Sequence, residues 1–159
     1  MQTNKFQISE LYSFLKKASQ STWANNGKSL DTPERNDFSE LVYHEGDWFY
    51  KDSFIGSVRS WGTELVRFQG KPTWNCVYGG GMVDGKKELS DETYTFLKEA
   101  LKISHKSNQS ARGPEVLEKD NWRYVYQQEG DMFLFNGYEE VFYKGELVHF
   151  YHTLGGVIK

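Results

Sequence analysis

Two glutamates, Glu64 and Glu139, stand 75 residues apart at matched places, each opening an alternating segment of Val, Phe and Tyr. Alternation puts Glu64 on one face with Val66 and Phe68, and Glu139 with Val141 and Tyr143. Inward carboxylates facing one cavity can divide acid and base roles when their surroundings differ. The competing role is structural, each carboxylate accepting backbone N–H bonds from the hairpin before it. Arg59, Trp61, Arg67, Trp74 and Tyr78 in the first half, with Arg123, His149 and Tyr151 in the second, are the residue types that line a groove for a small ligand. Trp74 and His149 occupy matched positions, as do Cys76 and Tyr151. A cavity between the halves would then be apolar on one side and polar on the other, although ordinary core variation explains the same exchange.

Other chemistries have less behind them. His149 and His152 lie three apart in a strand-like run, which points them to opposite faces and denies them a shared ion. His44 and His105 lie in unrelated contexts, so no metal and no cofactor is expected. Asn26-Gly27-Lys28-Ser29 lacks the earlier glycine of a phosphate loop, with Thr22 in that place, and reads as a polar turn. Gly79-Gly80-Gly81 and Gly155-Gly156 suit close backbone packing, or a pocket rim. Cys76 is the only cysteine, so no internal disulfide forms, and beside Val77 it reads as buried and inert.

The elements that position these residues form a repeat. Glu64, Val66, Gly70, Gly80 and Gly81 recur as Glu139, Val141, Gly145, Gly155 and Gly156. A helix is expected over 9–19, capped by Ser9, and another from Ser90, with Asp91 and Glu92 at its positive end. These match too, Tyr12, Phe14, Leu15, Lys16 and Ala18 returning as Tyr94, Phe96, Leu97, Lys98 and Ala100. Polar stretches follow each helix, Gln20 to Glu40 and His105 to Asp120, long enough to be functional or mobile. Strands are expected at Asp47–Asp52, Phe54–Ser60, Glu64–Gln69 and Thr73–Tyr78, then Asn121–Gln127, Asp131–Asn136, Glu139–Lys144 and Leu147–Thr153, with Leu41–His44 as a short extra strand. Gln69-Gly70-Lys71 and Lys144-Gly145-Glu146 are matched hairpin turns. Aligning Trp48 with Trp122 and Tyr50 with Tyr124 takes a one-residue gap. The expected fold is α+β, one domain over 1–159, made of duplicated helix-plus-four-strand antiparallel units (about 9–83 and 90–158). The units are related by a pseudo-twofold, with two helices on largely antiparallel sheet.

The totals narrow the partners. The net charge is −3, and splitting at Gly80 leaves the first half neutral and the second mildly acidic, so no basic face invites nucleic acid. Phe, Trp and Tyr together equal Leu, Ile and Val at 26 residues each, which favours an aromatic sheet core or an aromatic-walled pocket. No stretch reaches the ~20 apolar residues of a spanning helix, and residues 1–9 lack the apolar run of a signal peptide. A cytoplasmic protein without membrane contact is expected.

Asp52-Ser53-Phe54-Ile55-Gly56, Gly70-Lys71-Pro72-Thr73-Trp74, Arg112-Gly113-Pro114 and Leu154-Gly155-Gly156-Val157-Ile158 resemble an uncharacterised bacterial domain family. Its members occur alone or C-terminal to XRE-type helix-turn-helix regulators, and the resemblance runs from about Leu11 to Lys159. It implies a regulatory role through an effector or through association, and carries no catalytic residue. Three readings stay open. One is a small-molecule binding domain with its site at the seam between halves. A second is an enzyme using Glu64, Glu139 or His149 as acid or base. The third is an association module forming a homodimer.

Overall fold

The computed structural model describes residues 6–103 and 110–159. Helix α1 (Ile8–Ser21) leads through a 3₁₀ turn at Trp23–Asn25 to β1 (Ser39–Glu45), β2 (Trp48–Gly56), β3 (Arg59–Phe68) and β4 (Lys71–Met82). Helix α2 (Ser90–Lys102) then precedes β5 (Val116–Lys119), β6 (Trp122–Asp131), β7 (Leu134–Tyr143) and β8 (Glu146–Val157). The architecture is α+β: two helices and one eight-stranded antiparallel sheet in the order β1-β2-β3-β4-β8-β7-β6-β5. The last strand of each half meets the other at the centre, Trp74 opposite Val157 and Met82 opposite His149.

Local chemistry explains these elements. The β3–β4 turn has positive φ at Gln69 and Gly70, and the β7–β8 turn repeats this at Lys144 and Gly145, the backbone that twists two-residue hairpins correctly. At the central seam Gly80 has φ +141, and a Cβ there would lie 2.2 Å from the Phe150 carbonyl oxygen, so only glycine lets these strands approach. The paired glycines thus answer a demand of backbone packing.

The helices bury one stripe each. From α1, Leu11, Phe14 and Ala18 pack on Tyr50, Val66 and Trp74, with Phe14 stacked on Trp48 at 5.3 Å between centroids. From α2, Phe96, Leu97 and Ala100 pack on Tyr124, Val141 and Val148, with Phe96 5.6 Å from Trp122. The fully buried Trp74 donates its indole N–H to the Met132 carbonyl at 3.0 Å, which satisfies its one polar atom. On the opposite face of the sheet, Trp61, Val77 and Leu154 are exposed. No helix among the described residues is long and apolar enough to cross a membrane.

Several sequence expectations need correction. The N-cap of α1 is Gln7, whose backbone N–H donates to Glu10 at 2.7 Å, and Ser9 lies inside the helix. The break expected after Asp52 does not exist, because β2 runs on to Gly56 and the turn comes at Ser57-Val58. In the second half, the strand expected over Asp131–Asn136 straddles a real turn at Met132-Phe133. Residues 39–45 form a full edge strand, and β5 is a counterpart edge that the sequence reading missed. In both halves the polar residues that suggest a break, Ser53 in β2 and Gln128-Glu129-Gly130 in β6, lie inside strands. His105, Ser107 and Asn108 of the second polar stretch lie outside the described residues, as do Met1–Lys5.

Candidate ligand-binding site

Strand alternation carries Tyr50, Asp52, Glu64, Tyr78, Glu139, His149 and Tyr151 to the helix-covered face, around the central strands β3, β4, β8 and β7. Gly62 on β3 makes room among them, since a Cβ there would sit 2.5 Å from the ring and hydroxyl of Tyr78. Arg112 reaches the same place from the loop before β5. Gly113, next to it, gives its backbone N–H to the Tyr124 hydroxyl at 3.1 Å.

Glu139 is fully buried and fully engaged. Arg112 clamps it with Nε to Oε2 at 3.0 Å and Nη2 to Oε1 at 2.9 Å, and the Tyr124 hydroxyl donates to Oε2 at 2.8 Å. Burial alone would push this carboxyl up, but the charge and hydrogen bonds of Arg112 outweigh it and hold the pKa below the ordinary value. Burial likewise opposes the Arg112 cation, and Glu139 holds it charged well above its usual range. A planar, bidentate pair of this kind is the strong form of the interaction.

Asp52 and Glu64 are differently placed. They face each other directly across β2 and β3. Tyr78 donates to Asp52 Oδ1 at 2.7 Å and Tyr50 to Glu64 Oε1 at 2.8 Å. Among the described residues neither second carboxylate oxygen receives a hydrogen bond. Asp52 is only 4% exposed, and burial with the neighbouring Glu64 pushes its carboxyl up to about 7. Glu64 is raised by burial too, against the pull of Arg112 and the Tyr50 hydroxyl. Both tyrosine hydroxyls are pushed well above their usual range, chiefly by burial.

These groups surround two small adjoining cavities. The first, about 40 Å³, is lined by Tyr50, Asp52, Ser60, Glu64, Tyr78 and Arg112, among others. The second, about 30 Å³ on the α1 side, shares Tyr50, Glu64 and Arg112 and adds Lys16. The Lys16 ammonium donates to the carbonyls of Ile103 and Arg112, and burial with the Arg112 charge brings its pKa down to about 8. Trp23, Phe54, Ser60 and Tyr151 line both the first cavity and an open groove of about 820 Å³ that runs along α2 past Tyr94 and Lys98. The Ser60 and Tyr151 hydroxyls of this shared wall meet at 2.5 Å. Trp23 comes from the polar stretch after α1. His149 is fully buried, 4.7 Å from the Tyr151 ring and 5.5 Å from Tyr94, with neither ring nitrogen hydrogen-bonded. Burial lowers its pKa to about 4.

Of the candidate lining residues, the structure therefore brings Glu64, Tyr78 and Tyr151 to the cavity, with Glu139 and His149 in the layer around it. The others lie elsewhere. Trp74 is in the core. Arg59 and Trp61 line a shallow depression on the outer face with Val77 and His152, and Arg59 pairs with Asp84 at 2.7 Å. Arg67 donates to the Gly70 carbonyl beside its own turn, and the exposed Arg123 faces Glu118 at 3.4 Å. Cys76 is buried, and its thiol is pushed well above its ordinary range by burial. Among the described residues no three His, Cys, Asp or Glu side chains gather as metal ligands would. Asp52, Ser60 and Arg112 were missed as site residues. The signals for Asp52 and Arg112 were the motifs Asp52-Ser53-Phe54 and Arg112-Gly113-Pro114, where a charge stands among aromatics or glycine with no solvent-facing periodicity.

No curated protein and no solved structure matches the chain. Residues 52–158, which include Asp52, Ser60, Glu64, Tyr78, Arg112, Glu139, His149 and Tyr151, match a family described as Domain of unknown function (DUF5680), and the chain belongs to that family.

Proposed function

We propose that this chain is a small-molecule (effector) binding domain whose site is the cavity beneath α1 and α2, reached through the groove along α2. The observation that carries this reading is a small space of mixed polar and apolar lining on the helix-covered face of the sheet, which shares Trp23, Phe54, Ser60 and Tyr151 with an open groove. Its walls combine aromatic rings with a few convergent charged groups, the usual makeup of a ligand site. A space of about 40 Å³ holds roughly three or four waters, at about 10–15 Å³ each, or the head of a small ligand.

In this reading the site lies at the seam of a duplicated unit. Tyr50, Asp52, Glu64 and Tyr78 come from the first half, and Arg112 and Tyr151 from the second. The register supports duplication. Advancing Trp74 by 75 residues and setting Val157 back by 75 turns their pairing into that of His149 with Met82, while Tyr78 opposite Thr153 returns itself. The register break at Val66/Arg67 recurs at Val141/Phe142. Phe14 on Trp48 has its counterpart in Phe96 by Trp122.

The test is a melting-shift screen against a broad metabolite library, repeated on Asp52→Asn and Tyr151→Phe. Compounds that raise the melting temperature of the parent chain and lose that effect in both variants support the site. Compounds that stabilise all three chains equally would move it elsewhere. A second reading, catalysis, rests on Asp52 titrating near neutrality opposite Glu64, a pairing suited to separate acid and base roles. Glu139, held ionised by Arg112, is poorly placed for that work.

A further inference from the structure

The cavity under the helices has more acid than base around it. Asp52, Glu64 and Glu139 supply three carboxylates, and Arg112 spends its charge and two of its donors on Glu139. Lys16 lines only the α1-side cavity and gives its protons to backbone carbonyls. Among the described residues no cation is hydrogen-bonded to Asp52 or Glu64, and on each carboxylate one oxygen receives no hydrogen bond. Buried carboxylates in this state either stay protonated or await a positive partner. The walls favour the same sign. Trp23, Tyr50, Phe54, Tyr78 and Tyr151 surround the first cavity, and ring faces attract cations that have left water. An anionic ligand would meet two carboxylates and an arginine already taken.

We infer that the cavity takes the ammonium head of a small primary amine between Asp52 and Glu64, with the carbon chain leaving past Trp23, Phe54, Ser60 and Tyr151 into the groove. This rests on the small-molecule reading above and names its ligand class. The inner space of about 40 Å³ suits a head of one or two heavy atoms, and the groove takes the remainder. The groups facing the head are Asp52 and Tyr50 on β2, Glu64 on β3, Tyr78 on β4, Tyr151 on β8 and Arg112. The helices add only uncharged Ser19 and Leu101 to this cavity, and the turn after α1 adds Thr22 and Trp23. Binding therefore requires Asp52 to give up its proton to solvent, and affinity falls about tenfold per pH unit below its value of about 7.

Tyrosine-labelled protein, titrated at fixed ionic strength with matched probes, tests this. Methylammonium, propylammonium and benzylammonium are compared with propanol, benzyl alcohol, propionate and benzoate, following the ring signals of Tyr50, Tyr78 and Tyr151 by NMR. The expected result is that the ammonium probes shift these rings at millimolar concentration, with affinity at least tenfold weaker in Asp52→Asn or Glu64→Gln and weakening below pH 7. The pH series on the parent chain stands even if one variant fails to fold. Shifts from only the neutral or anionic probes, or ammonium binding unchanged in the carboxamide variants, would overturn the cation assignment and leave a small-molecule site. Silence from probes of every charge at these rings would remove both.

Discussion

Glu64 and Glu139 occupy matched strand positions, and each accepts a 2.8 Å hydrogen bond from a matched tyrosine, Tyr50 or Tyr124. They differ first in their cations: Arg112 is bonded to Glu139, and among the described residues no cation is bonded to Glu64. The pair at Glu139 is closed, with every charge answered from within the chain. The pair at Glu64 is open, with Asp52 added beside it in place of Tyr126 at the matched position. A carboxylate that the fold has neutralised is part of the structure. One that burial has raised and left facing a cavity is available to something else.

The sharpest way to break this contrast is Glu139→Gln, which strands the buried Arg112 charge. We expect a loss of about 3–5 kcal/mol in chemical denaturation. Glu64→Gln should change stability by less than about 1 kcal/mol, because the carboxamide oxygen keeps the Tyr50 bond and a desolvated charge disappears. Equal losses in the two variants would erase the distinction. The matched pair Trp74 and His149 gives a second test of similar size. Trp74→Ala empties the core and should cost about 3–5 kcal/mol. His149→Phe removes two buried nitrogens without hydrogen bonds and should be neutral or stabilising.

Acid–base behaviour sharpens the same comparison. The folded Asp52 keeps a proton that the unfolded chain has released between pH 4 and about 7, so this group lowers stability as pH rises through that window. His149 acts oppositely. Its pKa falls from 6.5 to about 4 on folding, so stability is lost as pH drops from 6.5 toward 4. The two contributions oppose each other between pH 4 and 6.5, so across that window the melting temperature should rise with pH in Asp52→Asn and fall with pH in His149→Phe. The smallest effect belongs to the surface. Arg123→Ala should stay within about 0.5 kcal/mol of the parent, since its ion pair with Glu118 is exposed.

The sequence made the helices legible through apolar spacing, and the two glycine hairpins through the turn chemistry at Gln69-Gly70 and Lys144-Gly145. It misplaced strand ends where polar residues lie inside strands. Asp52 and Ser53 look like a turn by composition, yet they continue β2. Part of the site error was avoidable by alternation. Arg59 and Trp61 have the opposite parity to Glu64, which assigns them to the other face once Glu64 is taken as inward. Arg112 was harder, since it sits in an aperiodic loop whose path depends on tertiary contacts with β6 and β7. No local pattern states that it will return to Glu139.

The unbroken hydrogen-bonded ladder through β4 and β8 has a mechanical corollary. Eight strands joined edge to edge make a single plate, so the halves have no cleft to swing shut on a guest as hinged receptors do. Any response to occupancy must instead pass upward, through Trp23, Tyr151 and the two overlying helices, and emerge on the side of the molecule where those helices meet solvent.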